Sequence, residues 1–152
     1  MSHSVSIQTV TAQPIVAARR RVFIPEITSA WKPALDQVWA FLREHPELRP
    51  GGNLFLYHHP TKREDPMEID FGVEVAGPFT APGGLISTAT PAGEVATTTH
   101  VGPYQGLPAA HNAIHAWCAA NGKQIGWASW EIYGDWTEDE AKLETQICYL
   151  LR

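Results

Sequence analysis

The same order of patterns runs twice along this chain, which constrains it to two similar units sharing a seam. The turning point is a stretch from Ala76 to Gly93, where Gly77, Pro78, Pro82, Gly83, Gly84, Pro91 and Gly93 punctuate the sequence. Before it, Val5 to Val10 and Pro14 to Phe23 read as a strand pair, and Glu26 to His45 contains a helix. Its apolar stripe is Trp31, Leu35, Val38 and Leu42, and Pro33 is expected near its first turn. Asn53 to His58 and Glu68 to Val75 follow as strands, the second with strict alternation of Ile69, Phe71, Val73 and Val75 against Glu68, Asp70 and Glu74. After it, Leu85 to Thr90 and Glu94 to Val101 read as a second strand pair. A helix then begins near Gly102-Pro103, carries Leu107, Ala110, Ile114 and Trp117 on one stripe, and closes at Asn121-Gly122. Strands Ala128 to Asp135 and Leu143 to Leu151 complete the repeat.

Sliding one half over the other by 75 to 76 residues lays Pro33 near Pro108 and Glu68–Val75 near Glu144–Leu151. The 152 residues are thus expected to form one domain with halves at about 1–76 and 77–152, and 44% hydrophobic residues suffice for its core. The fold class is α+β, with a mostly antiparallel sheet and two helices packed on it. The seam between the halves is where a small ligand would bind.

Composition narrows the functions. Eleven basic against 16 acidic residues give a net charge of -5, and only Arg19, Arg20 and Arg21 cluster, so a nucleic-acid surface is not expected. No run approaches the roughly 20 apolar residues that span a bilayer, and the first residues do not form a signal peptide, so a cytoplasmic location without membrane contact is expected. Cys118 and Cys148 lie in apolar segments and read as buried free thiols. Phosphate-loop, dinucleotide and nucleophile-elbow motifs are absent, and no cofactor is implied. His111 and His115 stand at i, i+4, a metal-ligand spacing, but without HExxH or a signalled third ligand no metal site is expected. His58 and His59 read as the solvated end of a strand, and Glu68, Asp70 and Glu74 as a solvated sheet face.

Two anomalies remain. Six tryptophans exceed the roughly two of average usage. Trp31 and Trp117 fit helical core stripes, whereas Trp39, Trp127 and Trp130 are candidates for a lined pocket. Trp130-Glu131-Ile132-Tyr133 then places a carboxylate inside an aromatic strand, on one face with Trp127, Ser129 and Tyr133 and opposite Ala128, Trp130 and Ile132. Ionised, Glu131 would attract a lipophilic cation, with cation–π contacts adding roughly 0.5 to 2 kcal/mol each. With its pKa raised by desolvation it could instead act as a general acid or base beside Tyr133.

Asp70-Phe71-Gly72-Val73-Glu74-Val75, His100-Val101-Gly102-Pro103-Tyr104, Trp130-Glu131-Ile132-Tyr133 and the closing Glu144–Leu151 strand, in this order and spacing, resemble the GyrI-like small-molecule-binding domains. These also serve as effector-binding domains of AraC-type and MerR-type regulators. The resemblance covers essentially the whole chain. It implies duplicated β-α-β-β halves, a curved sheet and a central ligand cleft in which Glu131 matches the family's pocket glutamate and Tyr133 its partner. No helix-turn-helix segment appears in the sequence, so a stand-alone member is expected. Such members are implied to be binders of lipophilic, cationic or planar xenobiotics, hydrolases of cyclopropane-bearing alkylators acting within an aromatic cage, or gyrase-modulating interaction modules. For a hydrolase, Glu131 and Tyr133 would be the catalytic pair. The expected ligand-binding set is Glu131, Tyr133, Trp39, Trp127, Phe71, Tyr104 and Tyr149; the oligomeric state is left open.

Overall fold

The computed structural model describes residues 3–62 and 64–152. Eight strands and two helices follow in the order β1 (Ser6–Val10), β2 (Pro14–Val22), α1 (Ile27–Arg43), β3 (Asn53–His58), β4 (Met67–Glu74), β5 (Ile86–Ala89), β6 (Gly93–Val101), α2 (Leu107–Ala120), β7 (Ile125–Tyr133) and β8 (Glu144–Leu151). The strands form a single antiparallel sheet in the order β1-β6-β8-β7-β3-β4-β2-β5, so each half contributes a β-α-β-β unit and the halves meet where β3 pairs with β7.

Both helices lie on one face. Ala34, Leu35, Val38 and Leu42 of α1 pack on Val16, Phe55, Ile69, Phe71 and Val73, while Ala110, Ile114 and Cys118 of α2 pack on Ala96, Ile147, Tyr149 and Leu151. Trp31, expected on the core stripe, is instead 38% exposed, because the α1 surface that enters the core is centred on Ala34 and Val38. Pro33 stands at the seventh position of α1 rather than in its first turn. It faces solvent, where the Ser29 carbonyl that it leaves without an intrahelical donor can meet water.

The strand pairs expected in each half do not form. β1 pairs with β6 of the second half, and β5 pairs with β2 of the first. The two short connections that looked like hairpin turns cross and bond to each other: the Gln13 amide donates to Thr90 Oγ1 at 2.9 Å and the Thr90 amide to the Gln13 carbonyl at 3.0 Å. This crossing brings the two edges of the sheet together, so the helix-free face curls inward. Ile15, Ala17, Leu54, Leu56, Val95, Ala128, Trp130 and Cys148 form a second core there without any helix covering it. Trp130, a pocket candidate from sequence, belongs to this core and points away from the helices.

That curl also buries Asp70, which alternation alone assigned to solvent. Its carboxylate is fully enclosed, held by Arg19 through Nε at 2.7 Å and Nη2 at 3.0 Å, and by His58 Nε2 at 2.9 Å. Next to it, Gly72 permits close strand approach, since a Cβ there would lie 2.7 Å from the Val16 carbonyl oxygen.

Candidate functional site

Between the helices, above the β3/β7 seam, lies a cleft of about 680 Å³. Ile24, Ile27, Met67, Leu107 and Pro108 supply apolar walls, and Tyr57, His59, His111, Ser129, Glu131 and Tyr149 supply its polar floor. Each floor residue is aimed by strand or helix geometry. On β7, Ala128, Trp130 and Ile132 enter the helix-free core, so Ser129 and Glu131 must face the helices. Phe55 and Tyr57 stand directly opposite Glu131 and Ser129 on β3.

The 76-residue repeat meets itself here. It maps Phe55 onto Glu131 and Tyr57 onto Tyr133, so Phe55 and Glu131 occupy equivalent positions facing one another across the seam. The equivalent tyrosines converge on one atom: Tyr57 donates its hydroxyl to Glu131 Oε1 at 2.5 Å and Tyr133 donates to the same oxygen at 2.6 Å. The other oxygen, Oε2, lies 2.7 Å from His111 Nε2, and His111 Nδ1 lies 2.6 Å from the Tyr149 hydroxyl.

A carboxylate with 5% exposure would ordinarily resist ionisation, and burial does push the Glu131 carboxyl upward. The His111 hydrogen bond and charge, with the Tyr133 and Tyr57 hydroxyls, outweigh that and hold it below the usual glutamate value. The surrounding tyrosines respond oppositely. Burial, and then the charge of Glu131, raise the Tyr149 phenol to about 12 and Tyr57 well above its ordinary value. Tyr133 is raised in the same way, by burial first and then by Tyr57 and Glu131.

His59 completes the floor. Read from sequence as solvated, it folds in over β7, with Nε2 2.8 Å from Ser129 Oγ and Nδ1 3.1 Å from the Gly126 carbonyl. Burial lowers its pKa, as it lowers that of His115, whose ring stands 5.0 Å from that of Tyr149. Among the described residues no group of three His, Cys, Asp or Glu side chains could hold a metal ion. The i, i+4 histidines have separate surroundings: His111 bonds Glu131 and Tyr149, and His115 stands at the cleft wall.

The other sequence candidates are divided. Tyr149 and Glu131 line the cleft, and Tyr133 touches it through Glu131. Tyr104 stands edge-on to Tyr133 at 5.8 Å, beyond the lining. Phe71 is fully buried in the α1 core, edge-on to Phe55 at 4.9 Å, so it cannot touch a ligand. Trp39 packs beside that core with its indole N–H donated to Asn53 Oδ1 at 2.9 Å, outside the cleft. Trp127 is 52% exposed and lies 5.4 Å from the His58 ring, where a register irregularity between Ile125 and Ser129 breaks the alternation. Among the described residues no tryptophan lines this cleft; its aromatic members are tyrosines and histidines.

Comparison with known proteins agrees with this architecture. The model of the GyrI-like small molecule binding domain matches residues 3–152. No curated protein sequence matches. Among solved structures, the EcmrR C-terminal domain is similar over 100% of this chain and 99% of its own, with 21% identity and a TM-score of 0.81. SAV2435 bound to tetraphenylphosphonium is similar at 13% identity and TM-score 0.73, over 100% of this chain and 94% of its own. A hydrolase encoded by lin2189 from Listeria innocua follows at 10% identity and TM-score 0.68, covering 97% and 91%.

Proposed function

Since the chain belongs to the GyrI-like small-molecule-binding domain family, we propose that its cleft takes lipophilic molecules, cationic or planar aromatic, with Glu131 as the attracting charge. One observation carries this reading. Glu131 is an ionised, buried carboxylate at the floor of a largely apolar cleft, and no described lysine or arginine pairs with it or lines the cleft. Three hydrogen bonds keep the charge in place with no lysine or arginine beside it to neutralise it, which leaves that role open to a cationic ligand. The similarity to a protein bound to tetraphenylphosphonium supports the class of ligand.

Glu131→Gln is expected to weaken binding of a lipophilic cation at least tenfold while changing the affinity of an uncharged molecule of the same shape less than threefold. Calorimetric titration of both variants, with melting curves as a folding control, checks this. Equal losses for the two ligands would refute the electrostatic role.

A second reading, hydrolysis of strained electrophiles, draws on the chain Tyr149, His111, Glu131, whose spacing resembles nucleophile, base and orienting group. For Glu131 to activate a water, however, that water must use the one acceptor site on Oε2 that its three donors leave free. Under this reading Glu131→Gln abolishes conversion of an excess of substrate, whereas a binder shows no conversion with either protein.

A further inference from the structure

The hydrogen bonds on the cleft floor have a fixed direction, and that direction selects among cations. Two groups in the network can only accept: the Glu131 carboxylate and the Gly126 carbonyl. Because Glu131 only accepts, the protons of Tyr57 and Tyr133 point at Oε1 and the proton of His111 lies on Nε2. When the His111 ring carries that one proton, its Nδ1 is bare and Tyr149 donates to it across 2.6 Å. Because the Gly126 carbonyl only accepts, His59 carries its proton on Nδ1, its Nε2 is bare, and Ser129 donates to it across 2.8 Å. Every hydroxyl proton on the floor is thereby committed inside the protein. What Tyr57, Tyr149, Ser129 and Glu131 turn toward a ligand is oxygen lone pairs.

We infer that the cleft is built for cations that carry N–H donors, such as a protonated amine or amidine on an apolar body, over permanently charged cations that carry none. The inference rests on the binding reading above and refines it. A quaternary ammonium would meet the same negative charge, but the oxygens around it would lose water without gaining a donor. An ammonium N–H supplies a donor to the nearest of them. Hydration works against this preference, since an N–H cation gives up more water than a quaternary one, so tighter binding of the former has to come from the floor's acceptors. Asn112 and His115 also line the cleft.

The test uses four naphthylmethyl compounds at about pH 8, where unperturbed imidazoles are neutral and tertiary aliphatic amines remain largely protonated. They are the ethylmethylammonium, the trimethylammonium with the same number of heavy atoms, a branched hydrocarbon isostere and a carboxylate. The expected result is an ammonium Kd at least tenfold below that of the trimethylammonium, with both below the hydrocarbon. Equal affinities of the two cations, both tighter than the hydrocarbon, would overturn this inference and leave the cation-binding reading standing. Cations no tighter than the hydrocarbon, or no binding by any of the four, would overturn both. A tighter carboxylate would show that the floor donates rather than accepts and would likewise refute the assignment.

Discussion

Replacing Arg19 by methionine is expected to cost about 3 kcal/mol of folding stability and, at roughly 2 to 4 °C per kcal/mol for a domain of this size, to lower Tm by about 6 to 12 °C at neutral pH. The full cost of stripping one partner from a buried ion pair is about 3 to 5 kcal/mol. Arg19 is 40% exposed and its contribution is partly screened, which places the value at the lower end. Asp70 is left behind fully buried, with only the His58 N–H at 2.9 Å. The pH dependence identifies the cause. Burial raises the Asp70 carboxyl, but the His58 and Arg19 hydrogen bonds and charges outweigh it and bring it below its ordinary value. A carboxyl depressed by folding contributes stability that is present above its unfolded pKa of roughly 3.9 and is lost as pH falls through its folded value. The variant and the parent should therefore differ most near neutrality and converge as the solution becomes acid. A Tm gap that stays constant from pH 7 to pH 3 would mean that Arg19 acts through the packing of its stem and not through its charge.

Asp70 also shows where reading along a strand stops. Ile69, Phe71 and Val73 announce a buried face, and by period two the carboxylate between them belongs to the opposite one. That much is local. The opposite face is not solvated, because the Gln13 and Thr90 connections cross and draw the sheet edges together, and this is a contact between residues 77 positions apart. The same crossing overturned the two strand pairs, since short gaps such as Thr11–Gln13 and Thr90–Ala92 have the length of hairpin connections whichever partner each strand takes. Helices, strands and the half-length repeat were legible because they depend on periodicity and on the Gly/Pro stretch at the midpoint.

The cleft was legible to a different extent at each residue. Glu131 stood out because a carboxylate in an aromatic strand is unusual wherever it faces. Tyr57 carries no local signal in Asn-Leu-Phe-Leu-Tyr-His, but the repeat that aligns Glu68 with Glu144 also aligns Tyr57 with Tyr133, so internal symmetry holds the signal. His111 was visible only as half of a metal-like pair. Its bonds to Glu131 and Tyr149 join a helix to two strands and have no trace in local spacing. The excess of tryptophan pointed to a cage, but Trp39 serves the α1 core, Trp130 the helix-free core and Trp127 the sheet end, because a two-sided, strongly curved sheet consumes more large side chains than one core would.

Removing the two clamping hydroxyls together, Tyr57→Phe with Tyr133→Phe, is expected to reverse the way stability depends on acidity. Each hydrogen bond to the Glu131 carboxylate contributes about 1.5 to 3 kcal/mol, so two independent losses would amount to roughly 3 to 6 kcal/mol. The double loss should be smaller than the two single losses added, because a buried carboxylate short of donors takes up a proton rather than remain charged. In the parent, Glu131 is depressed by folding, and its contribution is present above the unfolded value of roughly 4.3 and lost as pH falls through the folded one. In the double variant burial prevails, the folded pKa rises above the unfolded value, and the contribution is present below about 4.3 and lost as pH climbs through the raised folded value. From about pH 4.3 up to the raised folded value, stability should then decrease with pH for this group, where in the parent its contribution is level. Carbon-detected titration of the labelled Glu131 carboxyl reads the shift directly, and cation binding at neutral pH should fall with it, since a protonated Glu131 offers no charge. Strictly additive losses with an unmoved carboxyl titration would show that the tyrosines pack the seam without setting the charge of the site.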